Sequence, residues 1–196
     1  MEYNPGQLKK ELRAQGLQQR NRLSGSEVEE KSRKIFSRLV ALDQFNSSRV
    51  IMAYIDFRNE VATRDFIRQC LKQGKRIALP RVISEGEGAK GLWACEISDL
   101  VQDLEVSTFG VMEPKKEGLK RVDEMELDLI IVPGVVFGEN KFRIGYGAGY
   151  YDGFLRNCPP NCLKAGVAFE QQMVKKVPFE EHDVALDIII TERRII

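Results

Sequence analysis

Residues Asp128 to Gly134 read DLIIVPG: an acid, four consecutive apolar residues, then a Pro-Gly stop. A short continuous apolar run bounded by turn residues is the pattern of a strand covered on both faces in a parallel sheet. The apolar tract runs on to Phe137 (LIIVPGVVF), far short of a membrane span. Upstream, Val50 to Ile55 (VIMAYI) repeats the pattern and Arg76 to Pro80 predicts the next strand. Downstream, Lys164 to Phe169 and Ile188 to Thr191 predict two more.

Between these runs the period changes from that of a strand to that of a helix. Asn4 followed by Pro5 is an N-cap with proline at the first helical position, and Leu8, Leu12 and Leu17 form a stripe behind it. Ser26-Glu27-Val28-Glu29 matches a capping box ahead of Val28, Ile35, Phe36, Leu39 and Leu42. Thr63 is placed to cap a helix carrying Phe66, Ile67, Cys70 and Leu71, which Gly74 stops. A further helix is expected through Tyr151, Phe154 and Leu155. Leu92 to Ile97 reads as a strand, antiparallel or at an edge, whereas Ser98 to Glu126 is polar and irregular, interrupted by Gly110, Pro114 and Gly118. Strands alternating with helices predict one α/β domain over residues 1–196. Its central sheet is largely parallel, with helices on both faces in a three-layer α/β/α arrangement and antiparallel strands admitted at the edges.

The 196 residues are 43% hydrophobic and 30% charged, enough to bury a core and too ordered a composition for a disordered chain. A net charge of +1 and a pI near 7.6 provide no global field to draw in nucleic acid or an anionic membrane, so any anion must be held locally. The opening MEYNPGQLKKELRAQ lacks the apolar core of a secretion signal, and a cytoplasmic protein is expected. Cys158 and Cys162 are spaced C-x3-C, but only His182 and no second cysteine pair accompany them; with Cys70 and Cys95 they read as buried reduced thiols in preference to zinc ligands.

Just beyond the opening stretch lies Arg143 to Asp152, RIGYGAGYYD, with three alternating glycines. In open α/β sheets ligands collect beyond the carboxyl ends of the strands, where loops feed helix N-termini. The loop is neither a Walker A motif, since G-x-x-x-x-G-K-[ST] is absent, nor a dinucleotide fingerprint, since position 150 is Tyr150. Its glycines permit positive φ and close approach of backbone amides to a phosphate, Arg143 offers a forked donor, and Asp152 can hold a metal ion. The same residues also suit a tight connection ahead of a helix, with Tyr150 and Tyr151 in the core.

Taken with Asp128–Gly134 and Phe137, this stretch resembles the 5-formyltetrahydrofolate cyclo-ligase family, also called 5,10-methenyltetrahydrofolate synthetases. The resemblance extends over nearly the whole chain, through KKELR at 9–13, NEVAT at 59–63, the strand IALPRV, FGVMEP at 109–114 and HDVALD at 182–187. Ala148 departs from it, standing where the family carries glycine or lysine. The resemblance implies ATP- and Mg²⁺-dependent closure of 5-formyltetrahydrofolate, polyglutamylated or not, to 5,10-methenyltetrahydrofolate by a monomer that binds neither nucleic acid nor membrane. It further implies ATP binding by Lys9, Lys10, Arg13, Arg143, Ile144, Gly145, Tyr146, Gly147, Ala148, Gly149, Tyr150 and Tyr151, with Arg143 catalytic. Ile55, Glu60, Tyr146, Gly147, Ala148, Gly149 and Tyr150 would contact the folate, and Asp152 and Asp183 would hold Mg²⁺.

Read without the resemblance, KKELR is a solvated charged face, Glu60 strand-end polarity, Asp152 a helix-start acid and Asp183 a turn residue. Trp93 suits either the core or a stacking platform; His182 reads by itself as a general base, and as a loop residue once the resemblance assigns neighbouring Asp183 to the metal. Two other functions share such a scaffold: a non-catalytic folate- or nucleotide-binding protein, and a sugar-phosphate isomerase or acyl-transfer enzyme.

Overall fold

The computed structural model describes residues 5–83, 91–107 and 110–196. Three helices open the chain: α1 (Pro5–Arg20), α2 (Gly25–Val40) and the short α3 (Asp43–Ser47). Then follow β1 (Val50–Met52), α4 (Arg64–Lys72), β2 (Arg76–Ile83), β3 (Gly91–Ile97), β4 (Leu104–Val106), β5 (Met112–Pro114) and β6 (Lys120–Val122). The remainder is β7 (Leu129–Val132), β8 (Val136–Gly138), β9 (Arg143–Ile144), α5 (Tyr150–Leu155), β10 (Leu163–Val167), β11 (Met173–Val174) and β12 (Ile188–Ile190).

The central sheet has the order β12-β10-β7-β1-β2-β3-β6. Its neighbours from β12 to β2 are parallel, and β3 runs antiparallel to both β2 and β6. The stretch that opened the sequence reading is central: Leu129 and Ile130 pair with Ile51 and Met52 on one side and with Leu163 and Lys164 on the other. All four residues of β7 are buried because alternate side chains enter opposite layers. Leu129 and Ile131 pack with Phe36, Phe45 and Phe66 from α2, α3 and α4, while Ile130 and Val132 pack with Phe154 and Leu155 of α5. The predicted three layers, parallel centre and antiparallel margin are therefore present.

Local readings differ in instructive places. The box that caps α2 joins Ser24 to Glu27: the Ser24 hydroxyl accepts from the Glu27 amide, and the Glu27 carboxylate accepts from the Ser24 amide. Both Ser24–Glu27 and Ser26–Glu29 fit S-x-x-E, so the pattern alone does not choose between them. Thr63 precedes α4, but its hydroxyl donates inward to the Tyr54 carbonyl at 2.6 Å instead of capping the helix. The assigned cap at Asn4 lies outside the described residues. β1 ends at Met52, although Ala53 to Ile55 stay buried. The segment read as irregular contains β4 and β5, which pair with each other, and β6, which closes one edge of the main sheet. Gly74 ends α4 as expected, with φ of 76°.

A three-stranded sheet, β11-β8-β9, stands beyond the carboxyl end of β7 and was not foreseen. α1 lies on it. Leu12 and Leu17 pack with Val135, Val136, Ile144 and Val177, while Leu8 is exposed. A Cβ on Gly16 would come within 2.5 Å of Val136 Cγ2 and 2.9 Å of the Val135 carbonyl, so only glycine lets the helix approach this closely. That contact fixes where the side chains of α1 reach.

Candidate active site

The glycine loop leaves β9 at Gly145 and enters α5 at Tyr150. Gly147 has φ of 110° and Gly149 of 70°, the left-handed region that glycine occupies without strain. Gly145 does not share it. Gly145 to Gly149 otherwise present an open stretch of backbone, with Tyr146 and Ala148 exposed.

Two cations stand near this loop, Arg13 bonded to it and Arg143 bonded to the first turn of α5 just beyond it. Arg13, on α1, donates from Nε to the Gly145 carbonyl at 2.7 Å, and its guanidinium faces Gly147. Arg143, at the start of β9, lies beneath, its side chain only 3% exposed. It donates to the Val184 carbonyl and to Asp152 Oδ1, both at 3.1 Å. Burial holds the Arg143 guanidinium below its ordinary pKa, against the pull of Asp152.

Asp152 Oδ1 also accepts from the Val184 amide at 3.0 Å, which brings the residue after Asp183 against the first turn of α5. Asp183 Oδ2 in turn accepts from Lys9 at 2.5 Å and from the Glu180 amide at 2.8 Å. Burial would raise the Asp183 carboxyl, but Lys9 and the Glu180 amide outweigh it and hold the group below its ordinary value. Lys9 shows the complement: burial opposes its charge, and the bonds to Asp183 and Glu180 raise its pKa. Glu180, His182 and Asp183 form a group of metal-ligand type, their ligand atoms within 4.8 Å of one another. His182 itself is exposed, as expected of a loop residue.

On the far side of Tyr146 the chemistry changes. The Tyr146 hydroxyl donates to Glu60 Oε1 at 2.8 Å and accepts from Arg20 at 2.6 Å. Glu60 is buried, its Oε2 accepts from the Phe57 amide, and Arg20 stands 3.6 Å from Oε1. Desolvation raises the Glu60 carboxyl, opposed by Arg20, Tyr146 and the Phe57 amide.

The expected site residues thus fall into one region with different parts. Lys9, Arg13, Arg143, Asp152 and Asp183 are linked through hydrogen bonds around the glycine loop; Glu60 joins them only through Tyr146. Lys10 is exposed on the solvent side of α1. Ile144 is buried among Val135, Val136 and Val177, and its carbonyl accepts from the Val135 amide at 2.7 Å, so neither the side chain nor the carbonyl is open to a ligand. Ile55 is 4% exposed and belongs to the α2–α4 core, so its side chain presents little surface. Tyr150 and Tyr151 pack on the α5 core, and the Tyr151 hydroxyl is buried without a hydrogen-bond partner among the described residues. Trp93 lies under the Arg121 guanidinium at 5.1 Å and is partly exposed. The four cysteines are buried and unpaired, with Cys158 and Cys162 in the α5 layer.

Two participants escaped the sequence reading, Glu180 and Arg20. Glu180 was hidden in an acidic run, EEHD. Arg20 had a detectable signal: Lys9, Arg13, Gly16 and Arg20 follow the i, i+4, i+7, i+11 spacing of one helix face.

The model of the 5-formyltetrahydrofolate cyclo-ligase family matches residues 5–192. The chain belongs to this family. A probable 5-formyltetrahydrofolate cyclo-ligase of Schizosaccharomyces pombe is 27% identical over 96% of this chain and 97% of its own length. Among solved structures, the 5,10-methenyltetrahydrofolate synthetase of Aquifex aeolicus superposes with a TM-score of 0.82 at 34% identity, covering 96% of this chain and 91% of that one. The corresponding synthetase of Mycoplasma pneumoniae gives a TM-score of 0.75 at 28% identity, covering 94% and 98%. Family membership therefore spans the region that holds α1, the glycine loop and Asp183 alike.

Proposed function

We propose that this chain is an ATP- and Mg²⁺-dependent cyclo-ligase that closes 5-formyltetrahydrofolate to 5,10-methenyltetrahydrofolate, releasing ADP and phosphate. The observation that carries the reading is the sharing of one loop by two kinds of site. Cations that suit a polyphosphate stand at both its ends, Arg13 bonded to it at Gly145 and Arg143 bonded to Asp152 in the helix that follows it, while the carboxylate Glu60, suited to the N–H donors of a pterin, meets it at Tyr146.

Ring closure joins N10 to the formyl carbon on N5, and the formyl oxygen must leave. As hydroxide it leaves badly. Transfer of the γ-phosphoryl group to that oxygen gives an iminium-like phosphate ester; attack by N10 then breaks the carbon–oxygen bond, phosphate departs, and N10 loses its proton. The chain's task is positioning and charge stabilisation, as in other phosphoryl transfers. Amides of Gly145 to Gly149 and the Arg143 guanidinium face the transferring group, where one well-aimed donor contributes on the order of 3 kcal/mol. Burial of Arg143 makes it a fixed donor that needs no reordering at the moment of reaction.

The acids fit a hard cation. Asp152 uses Oδ1 for Arg143 and Val184, and Asp183 uses Oδ2 for Lys9 and Glu180; the second oxygen of each would be its ligand atom for magnesium, and the group of ligand atoms within 4.8 Å of one another joins Asp183 to Glu180 and His182 and not to Asp152. Bound there, the metal would neutralise phosphate charge. A cytoplasmic location and a monomeric state are part of the same proposal.

The test follows the methenyl chromophore with 5-formyltetrahydrofolate and Mg²⁺, with and without ATP. The expected result is an ATP-dependent rise, reduced about 100-fold or more in kcat/KM by Arg143→Ala and Asp152→Asn. Folded protein that binds folate without turnover would move the chain to the binding-protein alternative. Turnover of a sugar phosphate without ATP would move it to the isomerase-like one.

A further inference from the structure

Arg20 is among the largest fully buried side chains of the described structure, 1% exposed at the last residue of α1. A buried guanidinium is costly unless it is paired, and its two side-chain partners here, Tyr146 and Glu60, belong to the site. One terminal nitrogen donates to the Tyr146 hydroxyl at 2.6 Å; the other lies 3.6 Å from Glu60 and 3.5 Å from the Gly134 carbonyl. Its Nε is buried with no partner among the described residues. Tyr146, whose hydroxyl stands between Arg20 and Glu60, is 52% exposed as a residue, so the hydroxyl reaches inward from the surface.

Resting on the cyclo-ligase reading above, we propose that Arg20 is a positioning residue for the folate, acting directly and through the Tyr146 hydroxyl to hold the Glu60 carboxylate in place for the substrate. With Oε1 bound to Tyr146 and Oε2 to the Phe57 amide, the carboxylate is fixed in plane, and each oxygen keeps a lone pair for an incoming N–H donor. Position alone is insufficient if the group is neutral. Burial favours the protonated acid, and Asp56 adds to that; the charge of Arg20 is the principal opposing influence. The other groups acting on this site are Tyr146 from the glycine loop, Tyr54 after β1 and Tyr151 from α5. Arg20 is the cation among them that accompanies Glu60 into the interior.

The construction of α1 supports the assignment. Gly16, flush against Val135 and Val136, lies on the same helix face as Lys9, Arg13 and Arg20. The contact that seats the helix thus sets the reach of Arg20 toward Glu60 as well as that of Arg13 toward Gly145.

The experiment measures the pH dependence of kcat/KM for 5-formyltetrahydrofolate in the unaltered protein, Arg20→Gln, Arg20→Lys and Tyr146→Phe, at saturating ATP and Mg²⁺. Loss of Arg20 should move the acid limb upward by about one pH unit or more. KM for the folate should rise about tenfold or more with a smaller change in kcat, and lysine should restore part of both. A merely structural arginine would lower the melting temperature and leave the acid limb where it was; that result in folded Arg20→Gln overturns the proposal. If Arg20→Gln does not fold, Tyr146→Phe must still move the limb upward, and an unmoved limb overturns it equally. Failure of the unaltered protein to cyclise the folate would instead count against the underlying function.

Discussion

Lys9 and Asp183 are separated by 174 positions in sequence and by 2.5 Å in space. Their pairing has a defined pH signature. Asp183 titrates below its ordinary 3.8, so its contribution to stability is present above that value and is lost as pH falls through the lower folded pKa. Lys9 titrates above 10.5, so its contribution is present below that value and is lost as pH rises through the higher folded one. Lys9→Met should therefore lower the melting temperature throughout the neutral range, and the difference from the unaltered protein should fade in acid as Asp183 takes up its proton. A difference that persists unchanged in strong acid would assign the loss to packing of the lysine stem. At this scale the sequence was legible where a motif carried it: Lys9, Arg13, Arg143, Asp152 and Asp183 come together. It was illegible where burial decides the role. Nothing in their chemical type distinguishes Ile144 and Ile55, enclosed in the core, from an apolar residue facing a ligand.

At the scale of elements, α1 and the glycine loop depend on glycine in different ways. Gly16 is required for space. Its alanine variant gains about 1 kcal/mol of helix propensity but meets Val136 and a backbone carbonyl, and overpacking of about 1–3 kcal/mol should prevail. Gly149 is required for conformation: an added Cβ meets nothing within 4 Å, yet φ of 70° should cost alanine about 1–2 kcal/mol. Gly145 needs neither, since its surroundings are open and its φ is not positive, and Gly145→Ala should stay within about 0.5 kcal/mol in urea denaturation. Equal costs at all three positions would refute this separation. The loop's place after a strong strand was readable from DLIIVPG, but β8, β9 and β11 were not. They are two or three residues long, and β11 joins β8 across 34 intervening positions that no local periodicity reports. The same limit explains β4 to β6, where pairing across the sheet margin organises a polar stretch that looks irregular in sequence.

In the whole molecule, the parallel centre brings the ends of β1 and β7 together, and the chain segments that leave them supply Glu60 and the glycine loop. The layers were legible because a strand buried on both faces must be apolar without alternation, as β7 is. The position of α1 across the end of the sheet was not. It depends on one close contact at Gly16 and on long-range pairs such as Arg13 to Gly145 and Lys9 to Asp183. Those pairs connect the acids and cations around the glycine loop to the Glu60 side through a single helix, which is why the account assigns one site to two substrates. Its central claim is that the formyl oxygen leaves as part of phosphate. The most direct measurement supplies 5-formyltetrahydrofolate with ¹⁸O in the formyl group and determines the isotope content of the phosphate released with ADP. The account predicts one labelled oxygen per phosphate formed during cyclisation; unlabelled phosphate accompanying full conversion to the methenyl product would contradict it.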